Sequence, residues 1–258
     1  MPPGADGERR EKSEARLEFS SIRAGSESGE TSATPSSVQV DSRVNINHLI
    51  GFLTMEGDAW GGAGAVPYCV HDGKVLFLMQ QTKGGKKEGT LIDFGGARDD
   101  TVDANVRYCA AREFTEETAG LFTTSYLSVL VDQLSSLDQQ GIESSPIIHG
   151  EIAHCMELVE EANAKQYIAV TDLKASEWYA SYAIKIPYSD LTLQNHFYGD
   201  VSKRKVRIFY WVCAQHLRAM LQRRETLEGL PLHERVFCLK NLDSLVEIIT
   251  TNEFPSPC

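Results

Sequence analysis

The sequence predicts an α+β (α/β) domain, because segments with strand and helix patterns alternate along it. Two apolar runs, residues 61–70 and 74–81, flank His71-Asp72-Gly73, and Asp-Gly between apolar runs is typical of a β-hairpin. A short strand at 90–94 then leads through a glycine pair into an amphipathic helix. Two further segments rich in β-branched and aromatic residues are predicted as strands, 178–188 and 206–212.

Composition divides the 258-residue chain into a tail and one domain. Residues 1–43 are rich in Ser, Glu, Arg, Gly and Pro and poor in aliphatic residues, so they bury too little apolar surface to offset the entropy of ordering. We predict that this tail is disordered and that residues 44–258 form a single domain. Within the domain we expect a core, a helical insertion and a C-terminal helical extension, at about 61–214, 122–165 and 214–250 respectively.

Charge and cysteine content narrow the class of protein. The formal net charge of −11 disfavours a nucleic-acid-binding surface, because phosphate backbones bind basic faces. No apolar run reaches the roughly 20 residues that a membrane helix needs. The six cysteines lie far apart and form no CxxC pair, which is typical of reduced thiols in the cytoplasm. We therefore expect a cytoplasmic protein without a membrane partner.

A loop at 82–89 combines glycines with three lysines, Lys83, Lys86 and Lys87. One interpretation is that these lysines bind the phosphates of a substrate. The alternative is a solvated hairpin tip, where lysines commonly keep a protein soluble. For any single lysine the second situation is the more common one.

A helix is predicted from about Val102 to Ala119, after the Gly95-Gly96 pair. Asp103 or Thr101 is suited to cap its start, and Gly120 is suited to end it. Two adjacent glycines let the backbone approach a ligand closely, because they lack Cβ atoms. We expect this pair to end a strand and to open a loop next to the helix.

The carboxylates of this helix are expected on the side that faces the core. With Glu113 set at 0°, a rotation of 100° per residue puts Glu117 at about 40° and Glu116 at about 300°. Val106 lies at about 20°, on the apolar stripe. Buried carboxylates that repel one another are unfavourable unless a cation compensates them, and oxygen ligands suit Mg²⁺ or Mn²⁺. The alternative is an ordinary charged helix in which Arg112 pairs with Glu116.

Four residues of this helix match a known motif without gaps: Arg112, Glu113, Glu116 and Glu117. Together with Gly95-Gly96 they resemble the Nudix box, whose core is a glycine, a spacer and the pattern Arg-Glu-apolar-x-Glu-Glu. The spacer from Gly96 to Arg112 is two residues longer than in the family, and Asp103 lies one residue out of register with the first acidic position. One extra residue precedes Gly120. The resemblance is specific over about thirty residues and follows the order of strands and helices over the predicted core.

The resemblance implies a Nudix fold, a mixed β-sheet sandwiched between α-helices, with the helical insertion after the motif helix. It also implies a Mg²⁺-dependent hydrolase that cleaves a phosphoanhydride bond in a nucleoside diphosphate-linked or other diphosphate substrate. By position in the motif, the catalytic residues are Arg112, Glu113, Glu116 and Glu117. The implied ligands of one to three Mg²⁺ ions, for which Mn²⁺ is an alternative, are the Gly95 carbonyl, Glu113, Glu116 and Glu117.

Members of this family often use one more acidic residue outside the motif, and Glu177, Asp190 and Asp200 are candidates among which the sequence does not choose. The implied partner is a small phosphorylated molecule, and the sequence leaves its identity and the oligomeric state open. An alternative function is a Nudix-fold module that binds a nucleotide or an RNA end without hydrolysis. The altered spacer and the long insertion favour this second hypothesis, whereas the intact glutamates favour the first.

Overall fold

The structure is a computed structural model, which describes residues 59–83, 87–123, 146–173, 177–192 and 207–255. The predicted tail, the first half of the predicted insertion, Lys86 and Asp200 lie outside these residues. The elements in chain order are β1 (Trp60–Ala65), β2 (Tyr68–His71), β3 (Lys74–Thr82), β4 (Leu91–Ile92), β5 (Phe94–Ala97), α1 (Val106–Thr118), α2 (Pro146–Ala164), β6 (Ile168–Asp172), β7 (Trp178–Tyr182), β8 (Arg207–Cys213), α3 (Ala214–Arg223), α4 (Glu234–Cys238) and α5 (Leu242–Glu253).

The strands form two four-stranded sheets. In the first sheet the order is β5-β1-β7-β6, and β1 pairs in parallel with β7 but antiparallel with β5. In the second sheet β3 pairs antiparallel with β2, β4 and β8. The α+β class is therefore confirmed. The first sheet is mixed, as predicted, and the strand pairs described in the second sheet are all antiparallel.

The hairpin predicted at Asp72-Gly73 is confirmed. Both residues have positive φ, 49° and 69°, as a tight two-residue hairpin turn requires, and His71 pairs with Lys74 across it. The apolar run before the turn is divided into β1 and β2 around Val66-Pro67. Proline interrupts the strand because it has no N–H group to donate to a neighbouring strand.

The region before the central helix α1 differs from the prediction. A single strand at 90–94 was expected, whereas Asp93 separates two short strands, β4 and β5. Gly95 and Gly96 were expected to open a loop, but they lie inside β5, which pairs with β1. The physical reason is the close approach of these strands, because a Cβ atom on Gly95 would lie 2.6 Å from the Ala63 carbonyl oxygen.

Helix α1 spans Val106–Thr118, so the predicted start near residue 102 was wrong. Its N-cap is Asn105, whose side chain accepts a hydrogen bond from a backbone N–H in the first turn. Neither Asp103 nor Thr101 caps the helix. The Asp103 carboxylate instead forms an ion pair with Arg112 and accepts a hydrogen bond from a backbone N–H upstream.

Strand β8 starts and ends within one residue of the predicted 206–212, whereas β7 is six residues shorter than the predicted 178–188, and β6 was not predicted. Helix α2 packs on α1, and its residues Ile152, Cys155 and Val159 are buried. Helices α3 and α5 pack against each other and against β3, β6 and β8. The short helix α4 was not predicted. Among the helices in the described ranges, none combines the length and apolarity needed to cross a bilayer.

Phe114 joins α1 to the aromatic part of the core. Its ring is fully buried and lies edge to face with Phe94, with 5.1 Å between ring centroids. We predict that Phe114→Ala lowers the free energy of unfolding by about 3–5 kcal/mol, because it removes buried area and leaves a cavity. The control Val102→Ala, at a position that is 48% exposed, should change this energy by less than about 0.5 kcal/mol. Urea denaturation measures both, and similar small losses would contradict the prediction.

Candidate functional site

Helix α1 places the four motif residues at the boundary between core and surface. Glu113 and Glu117 are only 4% and 6% exposed, and Arg112 is buried as well. Glu116 is partly exposed, with a side-chain exposure of 26%. The core-side placement of Glu113 and Glu117 agrees with the helical angles of the sequence. Carboxylates so placed need compensating donors or cations.

Glu117 receives donors from three strands. Its Oε2 accepts hydrogen bonds from the Gly95 backbone N–H at 2.9 Å and from Gln80 Nε2 at 2.6 Å. Its Oε1 lies 2.7 Å from Arg207 Nη2 in an ion pair. Burial raises the pKa of Glu117 above its ordinary value, the Arg207 guanidinium opposes this, and the charge of Glu113 adds to it. One carboxylate therefore links α1 to β3, β5 and β8.

Arg112 organises the acidic side of the helix. Its Nε and Nη2 donate to the two oxygens of Asp103 at 2.7 and 2.9 Å. Its Nη1 lies 3.0 Å from a carboxylate oxygen of Glu113 and 3.0 Å from one of Glu116. In the sequence Asp103 lies one residue out of register with the first acidic position of the motif, and the structure shows that Asp103 anchors Arg112.

Gly96 provides space for Glu113. A Cβ atom on Gly96 would lie 2.4 Å from Glu113 Oε2 and 2.5 Å from its carboxyl carbon. Any larger residue here would force the carboxylate away from β5. The glycine pair thus acts as the sequence predicted in allowing close approach, although it does so from within a strand.

Asp93 and Arg235 form an ion pair that the sequence interpretation missed. Asp93 is fully buried, and its Oδ1 lies 2.9 Å from Arg235 Nε and 2.6 Å from Arg235 Nη2. Its Oδ2 accepts hydrogen bonds from Tyr179 at 2.8 Å and from Ser181 at 3.1 Å. A carboxylate between the apolar residues Ile92 and Phe94 was a signal of a buried, partnered acid. No local pattern marks its partner.

Arg235 also contacts the carbonyl oxygen that the motif assigns to a metal. Its Nη1 donates to the Gly95 oxygen at 3.0 Å, and its Nη2 donates to the Asp93 oxygen at 3.2 Å. The guanidinium carbon lies 4.9 Å from the centre of the Tyr179 ring, within cation–π distance. The Gly95 carbonyl oxygen therefore already contacts a cationic side chain of the protein, that of Arg235.

The other candidate residues are divided between the site and the surface. Lys83 is exposed. Lys87 is half-buried, and burial, together with the charge of Arg235, lowers the pKa of Lys87 to about 8. Glu177 and Asp190 are exposed, and among the described residues neither contacts the motif. Among the described candidates outside the motif, Lys87 lies close enough to the site for the charges of Glu117 and Arg235 to affect its pKa.

Carboxylate and carbonyl oxygens are the ligand types that Mg²⁺ prefers, so the donor set of the motif fits this ion chemically. The contact of the Gly95 carbonyl with a guanidinium also fits a cation position. In the described ranges, however, no three His, Cys, Asp or Glu side chains converge as a metal-binding group. The reason is visible in the contacts: Glu117 faces Arg207 and Gln80, while Arg112 lies between Glu113 and Glu116. The arginine side chains of the protein itself therefore lie next to these carboxylates.

The sequence matches no protein-family model and no curated protein. Solved structures to which the chain is similar include a C. elegans Ap4A hydrolase in a binary complex, at 13% identity, covering 74% of this chain and 96% of that chain with a TM-score of 0.36. The Nudix hydrolase RenU from M. smegmatis is 13% identical over 75% of this chain and 88% of that chain, with a TM-score of 0.37. The Nudix domain of Shewanella oneidensis NrtR with ADP ribose is 14% identical over 79% and 97% of the two chains, with a TM-score of 0.35.

The lowered pKa of Lys87 predicts a pH dependence of stability. Because the folded-state pKa is about 8 against an ordinary 10.5, the unfolded chain binds more protons between these values, and the contribution of Lys87 to stability rises with pH in this window. We predict that Lys87→Met stabilises the protein most below pH 8 and that this advantage shrinks towards pH 10.5. Urea denaturation across this range measures the difference. The exposed control Lys83→Met should follow the wild-type profile, and parallel profiles of Lys87→Met and wild type would contradict the prediction.

Proposed function

We propose that the chain is a Nudix-type hydrolase that cleaves a phosphoanhydride bond in a nucleoside diphosphate-linked or other diphosphate substrate, with Mg²⁺ as its cofactor. The observation that carries the proposal is the contact between the two halves of the motif. Glu117 accepts the Gly95 N–H at 2.9 Å, and Glu113 lies against Gly96. The longer spacer is accommodated between them, so Glu113 and Glu117 both lie next to the glycine pair.

The electrostatics of Glu117 support a cation at this place. Its pKa is raised by burial and further by the charge of Glu113, even though Arg207 lies 2.7 Å away. A cation next to both carboxylates would favour their ionised forms and relieve their repulsion. The residues proposed to hold the ion are Glu113, Glu116, Glu117 and the Gly95 carbonyl.

Bound Mg²⁺ would neutralise the charge of a diphosphate and lower the pKa of a coordinated water. The residues of the chain orient the acids for this chemistry. Arg112, anchored by Asp103, holds Glu113 and Glu116 through contacts of 3.0 Å each. The Gly95 N–H holds Glu117. Ordered donors of this kind reduce the reorganisation that the site needs during reaction.

Lys87 is the lysine that we propose for the substrate phosphates. It interacts electrostatically with Glu117, Asp93, Arg207 and Arg235, so it lies near the acids of the motif. Its ammonium group has no ion-pair partner among the described residues, and its lowered pKa reflects burial without full compensation. A bound phosphate would supply the missing negative charge.

A second candidate function is a module that binds a nucleotide or an RNA end without hydrolysis. The contacts that favour it are the two guanidinium groups, since Arg207 pairs with Glu117 and Arg235 donates to the Gly95 carbonyl. Under this hypothesis protein cations compensate the acids permanently. Calorimetry then shows tight nucleotide binding that Mg²⁺ does not change, and no product forms.

The hydrolase proposal is tested with a panel of nucleoside diphosphate sugars, dinucleotides, capped RNA and inositol pyrophosphates in the presence of Mg²⁺. We predict phosphate or monophosphate products from at least one class, and a loss of turnover of at least about 100-fold in Glu117→Gln, because a charged oxygen donor is removed. The control is Glu157→Gln, on the exposed side of α2. Thermal unfolding verifies that both variants fold. Equal turnover in Glu117→Gln and wild type would refute the assignment of this site.

A further inference from the structure

We propose that Arg235 is a resident cation of this site, and that it competes with a divalent cation for the Gly95 carbonyl oxygen. The inference rests on the proposed function in that the same site takes a metal. It adds a residue from the C-terminal extension to a site otherwise built from the motif helix and its glycine pair. It also assigns that residue an effect on metal affinity.

The backbone beside Arg235 is fixed to the strand that leads into the site. The Leu91 N–H donates to the Pro231 oxygen at 2.8 Å, and the His233 N–H donates to the Leu91 oxygen at 2.8 Å. The His233 ring then accepts the Arg235 N–H at 3.1 Å, which caps α4. Backbone hydrogen bonds between residues 231–233 and β4 therefore hold Arg235 beside β4 and β5.

All three nitrogens of the guanidinium donate hydrogen bonds to Asp93 and Gly95, at the start of β5. Nε and Nη2 bind the Asp93 carboxylate, and Nη1 binds the Gly95 oxygen. Its side chain is only 15% exposed. A largely buried guanidinium with this many acceptors is held strongly, because breaking a buried ion pair leaves an uncompensated charge. In the structure the Gly95 oxygen thus already has a cationic partner.

A divalent ion and this guanidinium exclude each other electrostatically. A Mg²⁺ ion at about 2.1 Å from the Gly95 oxygen would lie about 5 Å or less from Arg235 Nη1. Like charges at such distances disfavour each other strongly in a buried site. Metal binding at this oxygen is therefore expected to displace the guanidinium from it. Arg235 therefore weakens metal binding without taking part in the reaction.

The test measures Mn²⁺ affinity by calorimetry on the full chain, with Mg²⁺ competition as a second readout. Removing Arg235 alone would leave Asp93 buried and unpaired, so the variant is the double substitution Asp93→Asn, Arg235→Gln, which removes both charges. The matched control, Asp243→Asn with Arg218→Gln, removes an ion pair of 2.8 Å between α3 and α5. We expect Mn²⁺ to bind the double variant at least about tenfold more tightly than wild type, and the control to bind it as wild type does.

The outcomes separate this inference from the proposed function. Equal or weaker Mn²⁺ binding by the double variant, with clear binding by wild type, overturns the resident-cation inference and leaves the metal-dependent hydrolase standing. Absence of Mn²⁺ binding in every protein, together with absence of products, overturns both. If the double variant shows no cooperative unfolding, Asp93→Ser with Arg235→Met gives the readout. It also removes both charges, so it should bind Mn²⁺ more tightly than wild type, and unchanged affinity overturns the inference.

Discussion

The carboxylate of Glu117 is the interaction on which the rest of the site depends. It comes from α1, accepts the Gly95 N–H of the first sheet, and contacts Gln80 and Arg207 of the second sheet. A buried carboxylate is tolerated only when donors satisfy its oxygens. Helix α1, strand β5 and two strands of the other sheet must therefore all be in place before this charge is stable, and Glu117 is also one of the four residues that the motif assigns to catalysis.

The second theme of the site is how its acids are compensated. Arg112 belongs to the motif helix, whereas Arg207 begins β8 and Arg235 lies in the first turn of α4, far along the chain. Each pairs with a different buried or partly buried acid. The hydrolase and the binding module differ physically in one respect, namely whether a divalent ion replaces some of these protein contacts when substrate binds. At the Gly95 carbonyl oxygen, a hydrolase would exchange the Arg235 contact for a divalent ion, whereas a binding module would keep that contact.

Local and distant interactions explain which predictions the structure confirms. The Asp72-Gly73 hairpin is confirmed because its turn depends only on the positive φ of two adjacent residues. The start of α1 was predicted wrongly because two polar residues near it take different roles. Asn105 caps the helix, while Asp103 is drawn into an ion pair with Arg112, nine residues away in sequence. The glycine pair was assigned to a loop because its partner strand β1, which requires the missing Cβ atoms, is not visible in local sequence.

The sequence by itself determined the α+β class, the hairpin, the motif helix and the core-side placement of Glu113 and Glu117, because these follow from residue periodicity and local backbone preferences. Only the tertiary structure decided the partners of the buried charges. Asp93 and Arg235 are separated by 142 residues, and nothing in the spacing of either pairs them. Electrostatic attraction has no sequence period, so the topology that brings α4 beside β4 and β5 selects which cation meets which acid.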